Sequence, residues 1–469
     1  MEISRRDILI GSLGTTATLA LSEKAFAIDQ TAKLQAQINE AQASNGVVSL
    51  AAGIYQVTNL YVSAPIIIMG VPGKTVLQSL NGGNILKLNA VSNAVVSGVV
   101  FDSQNLTPAG ASSLATAYQM SAFQCADIRV ENCIFKNAKT SGAGFDACTG
   151  RVVGNQFYNI DQIALRAGKF VGKYQGRVVG NQTITLSGLE ISGNHIHQAG
   201  NGGIFVLHDG APNDEDGTII SNNHVEGVLS GSGDGQHGNG IDVFNANNVI
   251  IADNRISNCV YGGIRVVSCK HVQVIGNNIS RIADSGIFVE FAFESVVVSN
   301  NIFEDVSIGI QMSGGDGVLG YTGVCSNNIV RNVGRAFTNP EFSNFIGIDV
   351  VSIATNCIGN VVENVAANSH GPGIGILAAD WTSSHYHQFE GNIIRNAACG
   401  IGIILGDGSA KISILGNTIA TASFAFVSML NQVTYPDGSA NTLTPTGGDL
   451  TVNNSQLSLV SLVNNITLE

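Results

Sequence analysis

The chain has 469 residues, with 56 Gly, 8 Pro, 1 Trp, 12% charged side chains and a formal net charge of −12. That balance excludes a general nucleic-acid binder, which needs a basic stripe to neutralise phosphates, and it suits stacked strands and turns better than helices. The 8 cysteines show neither CxxC nor Cys/His zinc spacing.

Residues 1–27 read as an address. Ser4-Arg5-Arg6-Asp7-Ile8-Leu9 resembles the twin-arginine export signal, followed by an apolar stretch to Leu21 and by Ala25-Phe26-Ala27, a small-residue cleavage site ending at Ala27. The resemblance implies that the mature protein is exported folded and is periplasmic or secreted. No other stretch reaches the ~18 apolar residues needed to cross a bilayer, so no transmembrane segment is expected in the mature chain.

Asp29 to Ser44 is the one clear helix. Leu34, Ile38 and Ala41 share a face, Asp29 can cap the start and Asn45-Gly46 ends it. Residues 28–46 are therefore expected to cap the first coil of a repeat domain spanning 47–421. Within that domain, residues 253–306 set the period. Asn254-Arg255-Ile256, Asn277-Asn278-Ile279 and Asn300-Asn301-Ile302 recur at 23 residues, as do Gly263-Ile264-Arg265-Val266 and Gly286-Ile287-Phe288-Val289. Short Val/Ile-rich alternating runs broken by Gly, Asn and Ser make each repeat one coil of about three strands, which predicts a parallel β-helix. From Ala422 the period fades, and 422–469 reads as a capping tail.

An amphipathic helix, then Val47-Val48-Ser49-Leu50-Ala51-Ala52-Gly53-Ile54-Tyr55, then an apolar run closed by Gly70 and Lys74-Thr75-Val76-Leu77, resembles the opening of the pectate-lyase-like proteins. With the leader and the Asn/Gly repeats, the whole chain resembles the TAT-translocated repetitive proteins of that superfamily. The resemblance implies an all-β, single-stranded, right-handed parallel β-helix. It also brings an expectation of polysaccharide chemistry, since the superfamily's enzymes use calcium-binding aspartates with a catalytic Arg or Lys, or an Asp trio. Neither arrangement maps onto this sequence residue by residue.

Two ladders should follow from the period. One runs through Asn132, Asn155, Asn194, Asn223, Asn254, Asn277, Asn300, Asn327, Asn360, Asn392 and Asn417, where Asn can occupy left-handed turns and hydrogen-bond from coil to coil. The other runs through Ile204, Ile241, Ile264, Ile287, Ile310, Ile348, Ile376 and Ile401. Cys125 and Cys148, 23 apart, should stack as a buried column rather than form a disulfide. Insertions collect between the two ladders and again after the Ile strand, at His208–Gly217, Ser313–Gly320 and Asp380–His387. Loops gathered on one side of a repeat scaffold commonly wall a binding site.

In Gly-Ile-x-Val the Ile and Val point inward and x points out. Down the stack x reads Phe205, Asp242, Arg265, Phe288, Gln311 and Asp349, with Asp146 and Arg166 above. The next outward column reads Leu207, Phe244, Val267, Glu290, Ser313 and Val351. Asp242, Arg265 and Glu290 then cluster beside the Gly-rich loop Gly231–Gly238. Paired acids with a basic group suit cleavage of a glycosidic bond, with Asp242 or Glu290 as acid/base and Arg265 holding a sugar carboxylate. The alternative is a solvated cross-strand ion pair.

His195, His224 and Arg255 form a second column, a basic ridge that could bind a glycan together with His237. Trp381, near His385, Tyr386 and His387, suits stacking on a sugar ring. The acidic loops at His208–Asp216 and Gly314–Gly317 could take calcium but lack EF-hand spacing, so no metal ligand is assigned. The expected function is binding or cleavage of a polysaccharide along the outward face. The rival is a non-catalytic envelope or surface scaffold that binds a partner through its loops.

Overall fold

A computed structural model describes residues 28–420 apart from 45, 110–113, 115–116, 170–176, 180–181, 185–186, 209–214, 232–236, 315–319, 335–344, 352–353, 369–370, 381–385 and 406–410. Beyond 420 it describes the strands Phe424–Ser428, Gln432–Val433, Thr442–Leu443, Val460–Val463 and Ile466–Leu468. The export signal at Arg5, Arg6 and Ala27 lies outside the described residues, as does Trp381.

The helix Thr31–Ala43 buries Leu34, Ile38 and Ala41 against the first coil. Asp29 accepts the Thr31 N–H at 2.8 Å. Gln35 accepts from the Tyr61 N–H at 2.8 Å and donates to the Tyr61 carbonyl at 2.9 Å. One side chain thus closes backbone groups that an edge strand would otherwise offer to another chain. No helix among the described residues is long and apolar enough to cross a membrane.

Three parallel sheets follow. Sheet 1 has fifteen strands, from Val47–Ser49 through Gln273–Ile275 to Val460–Val463. Sheet 2 runs from Gly53–Val57 through His195–Ala199, His224–Val228 and Arg255–Cys259 to Ile466–Leu468. Sheet 3 runs from Leu60–Val62 through Gly202–His208, Asn239–Phe244, Ile264–Val267 and Ile346–Val351 to Phe424–Ser428. Sheets 2 and 3 are joined where the single strands Asn278–Glu290 and Ile302–Ser313 run from one to the other, turning at Arg281 and Asp305. Each coil pairs with the next in register, which makes the chain a parallel β-helix. The tail is part of it, because Val460–Val463 pairs with Ile412–Leu415 and Ile466–Leu468 with Thr418–Ala420. Polar sequence hid these two strands.

The interior is a continuous apolar column. The Ile ladder stacks as expected, Ile204 on Ile241, Ile264, Ile287, Ile310, Ile348, Ile376 and Ile401. Phe101, Phe135 and Phe157 stack with ring centroids 4.8 Å apart. All eight cysteines are buried thiols, including Cys125 and Cys148.

The asparagine ladder is real but differs from expectation at three rungs. Its members are Asn155, Asn194, Asn223, Asn254, Asn277, Asn301, Asn328, Asn360, Asn392 and Asn417, nearly all fully buried. From Asn194 onward each Oδ1 accepts both the backbone N–H and the side-chain Nδ2–H of the rung before it at 2.9–3.0 Å, as Asn277 does for Asn254, while Asn155 Oδ1 accepts the Cys133 N–H. Asn132, Asn300 and Asn327 instead stand one residue earlier, with φ of 53°, 57° and 54°, in the column that Gly154, Gly193, Gly276 and Gly359 also occupy. Left-handed backbone and ladder bonding are therefore jobs of two consecutive residues. The shift at Asn301 arises because one extra residue occupies the corner holding Phe291 (φ 59°), so Phe303 rather than Ile302 pairs with Ile279 and points inward.

Candidate functional site

The outward column of sheet 3 holds the candidate site. Register places Arg166, Phe205, Asp242, Arg265, Phe288, Gln311 and Asp349 one above another. Asp146 is not in that column; Gly144 pairs with Arg166, and Asp146 pairs with Gly168 in the column beside it.

The column faces away from the core yet is not open to solvent. Asp242 is 3% exposed and Asp349 7%. Arg265 donates from Nε at 3.0 Å and from Nη2 at 2.5 Å to Glu290 Oε2, and its Nη1 lies 3.8 Å from Asp242 Oδ2. With Arg265 and Glu290 side chains each 14% exposed, this is a half-desolvated network and not a solvated surface pair. Asn239 donates to Asp242 Oδ2 at 3.1 Å and accepts the Gly262 N–H at 2.9 Å, fixing the carboxyl to the coil below. The His237 ring lies 6.3 Å from the Phe205 ring.

Electrostatics separate the acids. Burial raises the Asp242 carboxyl to about 7, against the pull of Arg265 and the Asn239 hydrogen bond. Burial likewise raises Asp284 to about 6, against the Ser285 hydroxyl bond and Arg265. Asp349 is raised to about 7 by burial alone, and its Oδ1 has no hydrogen-bond partner among the described residues. Asp349 stands apart from the Arg265 network, in the coil below Gln311.

Asp284 escaped the sequence reading. It lies where pairing with the next coil slips between Ile282 and Ser285, and such a bulge re-aims a side chain. The visible signal was the spacing, 24 residues from Ile282 to Val306 but 23 from Ser285 to Ile308.

The histidine column forms as expected on sheet 2, with His195 on His224 on Arg255. It is not brought together with Asp242, and it is not the basic ridge expected. Glu226 lies beside it, 3.8 Å from His197 Nδ1 and 3.9 Å from His224 Nε2. Partial burial, with His224 and His197 nearby, holds the His195 imidazole below its ordinary value. His237 alone of the histidines singled out joins the sheet 3 site.

Other expected positions are accounted for differently. His387 is buried in the sheet 1 strand Tyr386–Glu390, so no aromatic strip includes it. Asp216, at the end of the acidic loop that could take calcium, is buried and bound 2.5 Å from His208 Nε2, and it accepts the Thr218 N–H at 2.8 Å. The carboxyls around Arg265 do not fit calcium either, since the guanidinium occupies the place where six to eight oxygens would have to converge.

Residues 177–377 match a family model described as a right handed beta helix region, which gives the solenoid its hand. No curated protein matches the chain by sequence. Among solved structures, the A-module of a mannuronan C-5 epimerase from Azotobacter vinelandii is similar at 14% identity and TM-score 0.50, over 71% of this chain and 96% of that one. The A-module of another mannuronan C-5 epimerase from the same organism aligns at 14% identity and TM-score 0.43, over 94% and 96%. An exopolygalacturonase from Thermotoga maritima aligns at 11% identity and TM-score 0.42, over 84% and 88%. At these identities the likeness concerns the fold.

Proposed function

We propose that the outward face of sheet 3 around Asp242, Arg265 and Glu290 binds a glycan strand and hydrolyses it, in a protein exported folded by the twin-arginine route. The observation that carries this reading is a pair of carboxyls on one guanidinium, Asp242 buried and 3.8 Å from Nη1, Glu290 bound to Nε and Nη2. Asp242, raised to about 7, keeps a proton to give to a leaving oxygen. Glu290, ion-paired to Arg265, is the group placed to activate water or attack. Their shared contacts with Arg265 hold the two oxygens within ~9 Å, inside the span over which such pairs act on one glycosidic bond.

Arg265 has a different role from the one expected of it. Its Nε and Nη2 are committed to Glu290, so an incoming sugar carboxylate would have to compete with Glu290 for them. The site therefore suits a neutral glycan rather than a polyuronate, and Arg265 is a positioning residue.

Asp242→Asn is expected to lower turnover ~100-fold or more, the scale of a lost general acid, with glycan binding retained. The wild-type rate should fall as pH rises through about 7, where Asp242 loses its proton. Reducing ends released from a panel of neutral and acidic polysaccharides measure both. Unchanged turnover in Asp242→Asn and Glu290→Gln would sink the assignment. One observation favours a second reading: Asp242 is only 3% exposed, which also suits a binding scaffold. Glycan retention without any release of reducing ends would select it.

A further inference from the structure

We infer that His195, His224 and Glu226 form a binding site for a divalent transition metal on the outward face of sheet 2, separate from the Asp242 cluster. The topology brings them together from two successive coils. His195 pairs with His224 across the strand boundary. Glu226 is two residues along the His224 strand, so it projects from the same face. One ligand atom from each of the three lies within 4.8 Å of the others.

Each donor is available. The His195 and His224 rings stack at 4.7 Å and 1°, and His195 Nε2 has no hydrogen-bond partner among the described residues. Glu226 Oε2 is 3.9 Å from His224 Nε2, too long for a hydrogen bond that would tie up either lone pair. His197 stands next to the group, its Nδ1 3.8 Å from the same oxygen, where it can orient the carboxylate or supply a fourth ligand.

The donor set selects the ion. Two imidazoles and one carboxylate suit Zn²⁺, Cu²⁺ or Ni²⁺, whereas Ca²⁺ and Mg²⁺ require oxygen cages. Bonds of ~2.0–2.2 Å bring tetrahedral ligand atoms to ~3.4 Å, so the three must close by ~1.5 Å. Parallel rings do not aim both lone pairs at one point, and turning the half-exposed His224 ring about its side-chain torsions supplies the closure. That terminal torsion is broad and costs little to turn. Arg255, below His224 in the column, confines a cation to the Glu226 side.

The test is calorimetric titration of the untagged mature chain, stripped with chelator, with ZnCl₂ and separately with CuCl₂ at pH 7.5. One-to-one saturable binding is expected, weakened at least ~10-fold in His224→Ala and in Glu226→Gln, with no saturable binding of CaCl₂. Copper loaded at one equivalent should carry nitrogen hyperfine structure from two imidazoles in its electron paramagnetic resonance spectrum. These side chains are partly exposed, so the variants should keep the parent's far-ultraviolet circular dichroism. Absence of saturable binding, or Zn²⁺ affinity unchanged in a His195→Ala/His224→Ala double variant, overturns the site.

Discussion

Asn277→Ala is expected to destabilise the protein by ~3–5 kcal/mol, because one truncation strands several buried polar groups, each worth ~1–3 kcal/mol when orphaned. Asn277 Oδ1 accepts from Asn254 N and Asn254 Nδ2, and Asn277 Nδ2 donates to the Ile251 carbonyl and to Asn301 Oδ1, all at 3.0 Å. The neighbouring Asn278 is exposed at the start of its strand, and its replacement by Ala should cost no more than ~0.5 kcal/mol. Asn277→Asp keeps the acceptor but loses the Nδ2 donor and sets a carboxylate against Asn301 Oδ1. It should be at least as damaging at neutral pH. Urea midpoints for the three variants measure the contrast, and equal midpoints for Asn277→Ala and Asn278→Ala would show the ladder to be decoration. Because each coil contacts chiefly its neighbours, the loss should appear first as local exchange of amides near 251–302.

Asp349→Asn is expected to stabilise the protein at pH 8, by up to on the order of 4 kcal/mol. Burial lifts the folded-state carboxyl from 3.8 to about 7. A carboxyl raised in the folded state contributes its full share of stability below pH ~4 and loses it as pH rises to about 7, because only the unfolded chain ionises freely in that window. The amide has no proton to lose and almost the same shape. Unfolding midpoints of parent and variant from pH 4 to 8 should therefore diverge steadily with rising pH. Parallel curves across that range would show that the carboxyl is already ionised in the folded protein. Asp242 slopes in the same direction, but it remains in both chains and cancels in the difference.

The coil period was legible because the inward positions repeat a single chemistry. Ile241, Ile264 and Ile287 stand 23 residues apart with no insertion between them, and register fixed the outward neighbours of each without further assumption. Asp242, Arg265 and Glu290 were brought together on that basis alone. What the pattern could not carry was burial of an outward face. Asp242 and Asp349 point away from the core yet lie covered, at 3% and 7% exposure, and no period encodes that. Nor could it distinguish Asn300 from Asn301, because two adjacent asparagines satisfy the same motif and only the extra residue at the Phe291 corner decides between them. A further ladder went unread for a related reason. Asn332, Asn364 and Asn396, linked at 3.0–3.1 Å with φ of 56°, 58° and 53°, sit at the corner leaving sheet 2, where Arg281 and Asp305 take the same place in other coils.

Stacking in register also means that separations along this molecule come in steps. Asn254 and Asn277 hold equivalent places 23 residues apart, so excising 254–276 would return the chain to its own phase and set Asp242 directly upon Phe288. Gain or loss of a whole turn in evolution would thus move one carboxyl relative to another by ~4.8 Å at a time. A lineage of such proteins could explore new acid spacings by copying turns, leaving the interior unaltered at every stage.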